Sequence, residues 1–276
     1  MTIRLACHTI AFHSFPFAYA AKKIAQIGYD GIELNAETNW AQPHVTPKTP
    51  KKERQAMMEI VRECGLEVSS MCAHISLIDP SFEKRKKAIQ FTKECIEIGL
   101  EFGTKIVHVV SGNLDKEVDR KVALGWLVSG LSELIDFSED RGVKVAFEAA
   151  VNQLVANSND LSDIINDLGS KRLYVNFDPS HFVLYGEDTS EAVAKFADRL
   201  VHVHAKDARG NPDHFEFPPL GAGVVDFRDL IRVLKAIEYG GFISVEYEGE
   251  LFGYGSDPVS ATIKSRSFLR DLIDSG

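Results

Sequence analysis

Four side chains that could bind a metal ion follow strand-like segments in the second half of the chain. Glu148, Asp178, His204 and Glu246 lie near the ends of the segments KVAFEAA, LYVNFDPSH, VHVHAKD and FISVEYEGE. In each segment the residues before the polar side chain are rich in Val, Ile, Leu, Phe and Tyr, as in a buried parallel strand. Three carboxylates and one imidazole provide the mixed oxygen and nitrogen donors that suit Mg²⁺, Mn²⁺ or Co²⁺. The pattern therefore predicts a divalent-metal site with positions left open for substrate oxygens.

The register of these residues favours a metal site over isolated surface charges. An acidic residue at the end of a strand is often only solvated or paired with a base, so one alone is a weak signal. Four such residues in register on consecutive strands are hard to obtain by chance. The carboxyl ends of the strands are also where (β/α)8 barrels carry their active sites.

The rest of the chain has the repeated order of strand and helix that such a barrel needs. Amphipathic segments separate eight strand-like segments, which begin at Ile3, Gly31, Glu67, Lys105, Lys144, Leu173, Val201 and Phe242. Most helical segments end at a glycine, as helices before an αβ loop often do: Gly28, Gly65, Gly103, Gly142, Gly169 and Gly240. The repeated order implies parallel strands with right-handed crossovers. We predict an α/β protein, a (β/α)8 TIM barrel in which residues 1–276 form a single domain.

An open, doubly wound sheet is the alternative architecture. Eight repeats in 276 residues, with no G-x-G-x-x-G motif after the first strand, favour closure into a barrel. Two loops that follow strands are long, at residues 35–49 and 208–225, and loops of this length are often functional. Trp40 in the first loop is predicted to stack on a substrate, and Asp226 after the second to cap a helix.

Composition excludes several classes of partner. The formal net charge of −9 argues against nucleic acid, because phosphate binding needs a basic surface. No apolar run approaches the roughly 20 residues that cross a bilayer, and the first residues lack a signal-peptide pattern. The four cysteines show no C-x-x-C pairing, as expected for free thiols in a reducing compartment. We therefore predict a cytoplasmic protein with no membrane partner.

Taken together, the strand-end motifs resemble a known family. The glutamate of F-E at Glu148, D-P-S-H at 178–181, H-A-K-D at 204–207 and V-E-Y-E-G-E around Glu246 are similar to motifs of the xylose-isomerase-like barrel superfamily. G-Y-D-G-I-E-L at 28–34 extends the likeness to the second strand. Within the superfamily the chain most resembles the sugar phosphate isomerase/epimerase branch that contains the ketose 3-epimerases. The resemblance covers the whole chain and does not choose a substrate.

The resemblance implies roles for individual residues. The family's metal ligands correspond to Glu148, Asp178, His204 and Glu246, with Mn²⁺ expected ahead of Co²⁺, Mg²⁺ or Zn²⁺. Glu248 lies on the same strand face as Glu246 and could replace it. His181 and Arg209 correspond to residues that contact substrate, and Asp207 would hold ligand geometry from behind. The family also implies a homo-oligomer that acts on a small sugar or keto-polyol.

The chemistry of the residues agrees with an isomerase or epimerase. Removing a proton next to a carbonyl creates an ene-diolate, whose charge a chelated metal stabilises as a Lewis acid. Glu148 and Glu246 are predicted to abstract and return the proton. Glu33 and His74, on earlier strands, are predicted to line the substrate pocket. His108 and His202 are interpreted as packed or hydrogen-bonded histidines of the barrel.

Two other functions remain open on sequence grounds. A dehydratase of the inosose or dehydroshikimate type would use the same enolate and then expel a hydroxyl group. A non-catalytic sugar-binding subunit would have no need of paired carboxylates across a metal. Loss of water from the substrate would identify the first, and metal binding without turnover the second.

Overall fold

The structure, a computed structural model, is a closed parallel barrel and confirms the predicted (β/α)8 fold. It describes residues 2–38, 41–169, 172–255 and 257–275. The barrel strands are β1 (Arg4–His8), β2 (Gly31–Asn35), β3 (Glu67–Cys72), β4 (Ile106–Val109), β5 (Lys144–Phe147), β6 (Tyr174–Phe177), β7 (Leu200–Ala205) and β10 (Phe242–Val245). They hydrogen-bond in the order β1-β10-β7-β6-β5-β4-β3-β2, and β2 closes onto β1.

Helices connect consecutive barrel strands, and a last helix follows β10. They are α1 (Phe17–Ile27), α2 (Lys51–Glu63), α3 (Phe82–Glu101), α4 (Arg120–Glu139), α5 (Ser158–Leu168), α6 (Pro179–Leu184), α7 (Thr189–Lys195), α8 (Phe227–Ala236) and α9 (Pro258–Ser275). A short 3-10 helix, Thr9–Phe12, follows β1, and both α6 and α7 lie between β6 and β7. This arrangement leaves the loops after the strands together at one end of the barrel.

Burial explains why these segments take up their positions. Strand residues that face the helices, such as Leu5, Ile32 and Val107, are completely buried. The helices meet them with apolar stripes at helical spacing, as Leu230 and Leu234 do in α8. The strands are therefore covered on both faces, which is why they read as continuous apolar runs.

Glycine ends most of the helices as predicted. Gly28 and Gly169 are the C-cap residues of α1 and α5 and have φ angles of 95° and 55°, in the left-handed region. The prediction for Gly240 is wrong by two residues. Helix α8 stops at Ala236, and Glu238 takes the positive φ of 55° instead.

The second long loop contains a hairpin that the sequence did not predict. Strands β8 (Arg209–Asn211) and β9 (His214–Glu216) pair antiparallel, outside the barrel sheet. The guanidinium group of Arg209 donates to Glu216 across the hairpin, with Nε to Oε2 at 3.0 Å. After the hairpin, Asp226 caps α8 by accepting from the backbone N–H of Asp229 at 2.9 Å, as predicted.

The helices and the cysteines of the structure relate to two expectations from composition. Among the described residues, no helix is both long enough and apolar enough to cross a membrane. Cys7, Cys64, Cys72 and Cys95 are free, and all but Cys64 are buried.

Asp207 fixes the loop that contains the hairpin. Its buried carboxylate accepts from the backbone N–H groups of Gly221, Gly223, Val225 and Ala208 at 2.9–3.1 Å. The sequence predicted that it would hold the metal ligands, but the structure places it against the loop. Successive side chains of a strand point to opposite faces, so a residue three positions after an inward histidine points away from the barrel interior.

Replacing Asp207 should therefore destabilise the fold. We expect Asp207→Ala to lower the unfolding free energy by at least about 3 kcal/mol, because four backbone amides lose a buried, charged acceptor. The melting temperature should fall by roughly 6 °C or more, measured by thermal denaturation. Asp213→Ala, on the exposed tip of the same hairpin, is the matched control and should leave it unchanged. Equal melting temperatures for the two variants would show that the contacts do not stabilise the loop.

Candidate active site

The four predicted metal ligands meet at the carboxyl end of the barrel. Glu148 follows β5, Asp178 follows β6, His204 lies in β7 and Glu246 follows β10. All four are at most 6% exposed. They lie at the floor of a cavity of about 610 Å³, whose lining includes Glu148 and Glu246. A cavity of this size suits a small-molecule ligand.

The geometry of this set fits a divalent cation. The ligand atoms of Glu148, Asp178 and His204 all lie within 4.8 Å of one another. Nδ1 of His204 is 3.5 Å from Oε2 of Glu148 and 3.5 Å from Oε2 of Glu246. This buried nitrogen has no hydrogen-bond partner among the described residues. A buried imidazole nitrogen without a partner, facing carboxylates, is the arrangement that a metal ion completes.

The structure separates Glu246 from its sequence alternative, Glu248. Glu246 approaches His204, whereas Glu248 contacts Lys206 at 3.6 Å. The ligand role proposed for this strand therefore stays with Glu246.

Sequence reasoning missed Lys206, which lies among the carboxylates. Its buried Nζ is 2.5 Å from Oε2 of Glu246, 3.0 Å from Oδ2 of Asp178 and 3.6 Å from Oε2 of Glu248. Burial lowers the pKa of Lys206, but these carboxylates more than compensate and raise it well above its ordinary value. A signal was available, since residues two apart on a strand share a face and His204 points inward.

Glu33 lies beneath the cavity, at the centre of a group of histidines. Its carboxylate is completely buried, with Oε1 2.5 Å from Nε2 of His108 and 3.1 Å from Nε2 of His204. Oε2 is 3.1 Å from Nε2 of His202, and Oε1 is 3.6 Å from Nε2 of His8. Glu33 is not part of the cavity lining, so the structure does not place it at the predicted substrate contact. It instead orients imidazoles, as carboxylates behind metal-binding histidines do.

The contact between Glu33 and His204 determines which nitrogen of His204 faces the cavity floor. With Nε2 directed at Glu33, Nδ1 is the nitrogen that faces Glu148 and Glu246. Burial disfavours the charged imidazolium, but the three carboxylates raise the pKa of His204 well above its ordinary value. A cation that binds at Nδ1 therefore replaces a proton there.

The two carboxylates that flank His204 are ionised. Burial opposes this, yet His204 and His74 hold the pKa of Glu148 well below its usual range. Burial likewise opposes ionisation of Glu246, but Lys206 and His204 lower its pKa to about 2. Both groups can accept a proton near neutral pH.

Two further carboxyl groups near the cavity have raised pKa values instead. Burial raises the pKa of Glu37 to about 9, and the neighbouring Glu248 and Glu246 add to the effect. Burial also raises the pKa of Glu248, against the attraction of Lys206. Carboxyl groups whose pKa values are pushed apart are the usual way in which one site holds both a base and an acid.

The predicted substrate-binding residues occupy different positions relative to the cavity. His181 and His74 line the cavity, and Nε2 of His181 is 3.6 Å from Oε1 of Glu148. Arg209 lies outside the cavity lining, half-exposed and paired with Glu216 on the hairpin. Trp40 lies outside the described residues.

Aromatic side chains form one wall of the cavity, and they were not predicted from the sequence. Phe215 and Phe217 come from the hairpin segment, and Phe252 comes from the loop after β10. The rings of Phe217 and Phe252 meet edge to face with centroids 4.9 Å apart. Nζ of Lys206 lies 4.7 Å from the centroid of Phe217, so the charged floor and the aromatic wall are in contact.

Comparison with known proteins agrees with this architecture. A family model described as the xylose isomerase-like TIM barrel matches residues 21–272. The chain belongs to this family. The family assignment confirms the resemblance inferred from the strand-end motifs, and it makes a sugar-modifying enzyme the general class of function.

Proteins similar to this chain have different descriptions. An inosose dehydratase of Clostridium perfringens is 24% identical over 75% of this chain and 77% of its own length. An uncharacterized protein of Methanocaldococcus jannaschii is 25% identical over 99% of this chain and 90% of its own length. The crystal structure of a D-tagatose 3-epimerase-like protein superposes with a TM-score of 0.83 at 23% identity, covering 99% of this chain and 97% of that chain. At this identity the last likeness concerns the fold.

Neutralising Glu33 should weaken metal binding. We expect Glu33→Gln to lower the affinity for Mn²⁺ about 10–100-fold, because the amide cannot hold His204 as a charged acceptor does. Isothermal titration of chelator-treated protein measures the change. Ser70→Ala is the matched control, since Ser70 contacts His202 in the same cluster at 3.1 Å without touching His204. Unchanged affinity in Glu33→Gln would remove Glu33 from the metal site.

Proposed function

We propose that this protein is a divalent-metal-dependent isomerase or epimerase of a ketose or related keto-polyol. The observation that carries the proposal is the pair of ionised carboxylates, Glu148 and Glu246, each with Oε2 at 3.5 Å from Nδ1 of His204. Both line a cavity large enough for a monosaccharide. Such a pair can remove a proton from a carbon next to a carbonyl and return one to it.

The metal would be held by Glu148, Asp178, His204 and Glu246, and we propose Mn²⁺. When bound, the cation supplies Lewis-acid stabilisation of the negative charge that develops on the substrate oxygens of the ene-diolate. Three oxygen donors and one nitrogen suit such an ion.

The chain's own residues move the proton. Glu148 accepts it from the substrate carbon, and Glu246 delivers one to the same or the adjacent carbon. Glu246 is ionised at rest, so it takes the proton that it delivers from solvent in the cavity, and Glu148 gives its own proton back to solvent. The 2.5 Å contact with the ammonium group of Lys206 holds the Glu246 carboxylate in place.

We assign the substrate hydroxyls to His181 and Lys206, which line the cavity. Arg209 lies outside that lining, paired with Glu216.

Solvent deuterium tests the reaction. In D₂O with saturating Mn²⁺, we expect a panel of ketoses and keto-inositols to contain one substrate that takes up deuterium without change in elemental composition. Glu246→Gln should slow this exchange by about 10²–10⁴-fold, because it removes one of the two proton-transfer groups. Mass spectrometry and NMR follow the label.

The control for that experiment is His214→Ala, which alters an exposed side chain outside the cavity lining and should exchange at the normal rate. Exchange in Glu246→Gln at the rate of the unmodified protein would contradict the assignment of Glu246. Absence of metal-dependent exchange with every substrate in the panel would contradict the reaction.

A dehydratase is the second candidate, because the inosose dehydratases are relatives over three-quarters of the chain. The raised pKa of Glu248, caused by its burial, would supply an acid for the hydroxyl that leaves. Deuterium uptake followed by loss of water, seen as a new conjugated chromophore, would select this reaction over isomerisation.

The charges of the cavity favour a substrate without a phosphate group. Among the described residues that line it, Lys206 is the only lysine or arginine, and three carboxylates already surround its ammonium group. Glu37, Glu148, Glu246 and Glu248 all line the same cavity. The aromatic wall suits the apolar face of a sugar ring instead.

A phosphorylated substrate should therefore react poorly. We expect kcat/KM for a ketohexose phosphate to be at least about 10²-fold below that of the free ketohexose, since opposing like charges costs several kcal/mol. Steady-state kinetics on the matched pair measures the ratio. Equal or higher kcat/KM for the phosphate ester would show that the excess of carboxylates does not select the substrate.

A further inference from the structure

Gln153 lines the cavity but has no part in the reaction described above. It lies in the loop after β5, the same loop that begins with Glu148, and its side chain is partly buried. Contacts with the neighbouring loop determine which end of its amide group faces the protein and which end stays free.

The loop after β4 holds the oxygen end of this amide. The backbone N–H of Gly112 donates to Oε1 of Gln153 at 2.8 Å, and Oγ of Ser111 lies 3.3 Å from the same oxygen. A backbone N–H can pair only with the oxygen of an amide, so the contact fixes the orientation of the group. Nε2, with its two N–H donors, has no hydrogen-bond partner among the described residues. It is therefore the end that a ligand in the cavity can use.

The backbone on both sides of this contact is itself fixed. The N–H of Leu154 donates to the carbonyl of Gly112 at 3.0 Å. The N–H of Val155 donates to Oγ of Ser111 at 3.2 Å. The loops after β4 and β5 are thus joined by several hydrogen bonds, and the amide of Gln153 has a defined position against them.

A strained residue precedes Gln153. Asn152 has a φ angle of 63°, in the left-handed region that residues other than glycine rarely adopt. Its Nδ2 donates to the carbonyl of Pro212 at 2.9 Å, which ties the turn to the hairpin of β8 and β9. Strained residues persist where surrounding contacts over-determine them, and they cluster at sites that bind ligands.

The cavity needs donors of this kind. Ionised carboxylates such as Glu148 and Glu246 only accept hydrogen bonds. A sugar hydroxyl that donates to a carboxylate keeps lone pairs that can accept from another group. Lys206 is one such donor, but three carboxylates already surround its ammonium group. Nε2 of Gln153 offers a donor that adds no charge to the cavity.

We propose that Gln153 is a specificity-determining residue, whose Nε2 donates a hydrogen bond to one hydroxyl oxygen of the sugar. The inference rests on the proposed function, because it concerns the substrate of the same cavity. An amide nitrogen donates and does not accept, so the group that it selects is an oxygen with a free lone pair. A hydrogen atom or an ammonium group in place of that hydroxyl leaves Nε2 unpaired.

A series of deoxy analogues tests the inference by binding alone. The parent compound is the ketose or keto-inositol of the panel that binds most tightly to the Mn²⁺-loaded protein, and each analogue lacks one of its hydroxyl groups. Isothermal titration gives every dissociation constant. We expect one analogue to bind at least about 10-fold more weakly than the parent, because it leaves the donor unpaired. In Gln153→Met, which has no donor, that ratio should fall below about 3.

The ratio separates a substrate contact from a role in the loop. If Gln153 served only to join the two loops, Gln153→Met would weaken the parent and every analogue by the same factor. Unchanged ratios in Gln153→Met would therefore overturn the inference. Gln90→Met is the matched control, since Gln90 is exposed on α3 and pairs with Glu94, and it should keep all the ratios of the unmodified protein.

A crystal structure decides the matter if Gln153→Met fails to fold. The unmodified protein is crystallised with the parent compound bound. Nε2 of Gln153 within about 3.2 Å of a hydroxyl oxygen of that compound supports the inference. A bound compound that has no hydroxyl oxygen near Nε2 refutes it.

The inference and the proposed function fail differently. Ratios that depend on Gln153, in a protein that exchanges no deuterium, keep the contact and remove the reaction. Metal-dependent exchange with ratios that Gln153→Met leaves unchanged keeps the reaction and removes the contact. A protein that binds no member of the panel would overturn both.

Discussion

The contact between Glu33 and its histidines is the constraint on which the interior of this barrel depends. A carboxylate with no solvent exposure is costly unless polar partners surround it. Here four imidazoles do so, from β1, β4 and β7. Burial would raise the pKa of Glu33, yet His204 and its neighbours hold it well below the ordinary value. A fixed negative charge therefore lies under the cavity and directs Nδ1 of His204 toward the cavity floor.

The carboxylates around the cavity outnumber the one lysine among them, so its positive charge offsets only part of their negative charge. Lys206 lies between Asp178 and Glu246, two of the residues assigned to the metal. A cation and the ammonium group therefore draw on the same oxygen atoms. Under the proposed function, their competition would couple metal occupancy to the position of the Lys206 ammonium group.

The sequence predicted the barrel, and it predicted that the four proposed ligands would converge, because both depend on local periodicity. Apolar runs with a polar residue at the end identify a strand and its carboxyl end, and the closed sheet then brings those ends together. The Glu33 cluster could not be found in this way, because His108 and His204 are 75 and 171 residues distant and meet it only when the barrel closes. Alternation along β7 could have found Lys206, and it also explains why Asp207 faces the loop instead.

Residues in the irregular loops beyond the strands could not be placed from the sequence pattern. Glu37 lies beyond the end of β2, where no period indicates which way a side chain points. The resemblance assigned Arg209 to the substrate, but the chain turns into a hairpin at that point, and the guanidinium group pairs with Glu216 outside the cavity lining. A residue on a strand has the direction that the barrel imposes, whereas a residue in the loop beyond it takes its direction from the loop.

The hairpin of β8 and β9 has a practical consequence for protein engineering. It pairs with itself and belongs to no barrel strand, yet it supplies Phe215 to the cavity and leads directly into Phe217. Its sequence can be varied in a library without altering the hydrogen bonds that close the barrel. The specificity of the pocket and the stability of the scaffold are therefore separable properties, and the hairpin is the module to exchange when a new sugar is wanted.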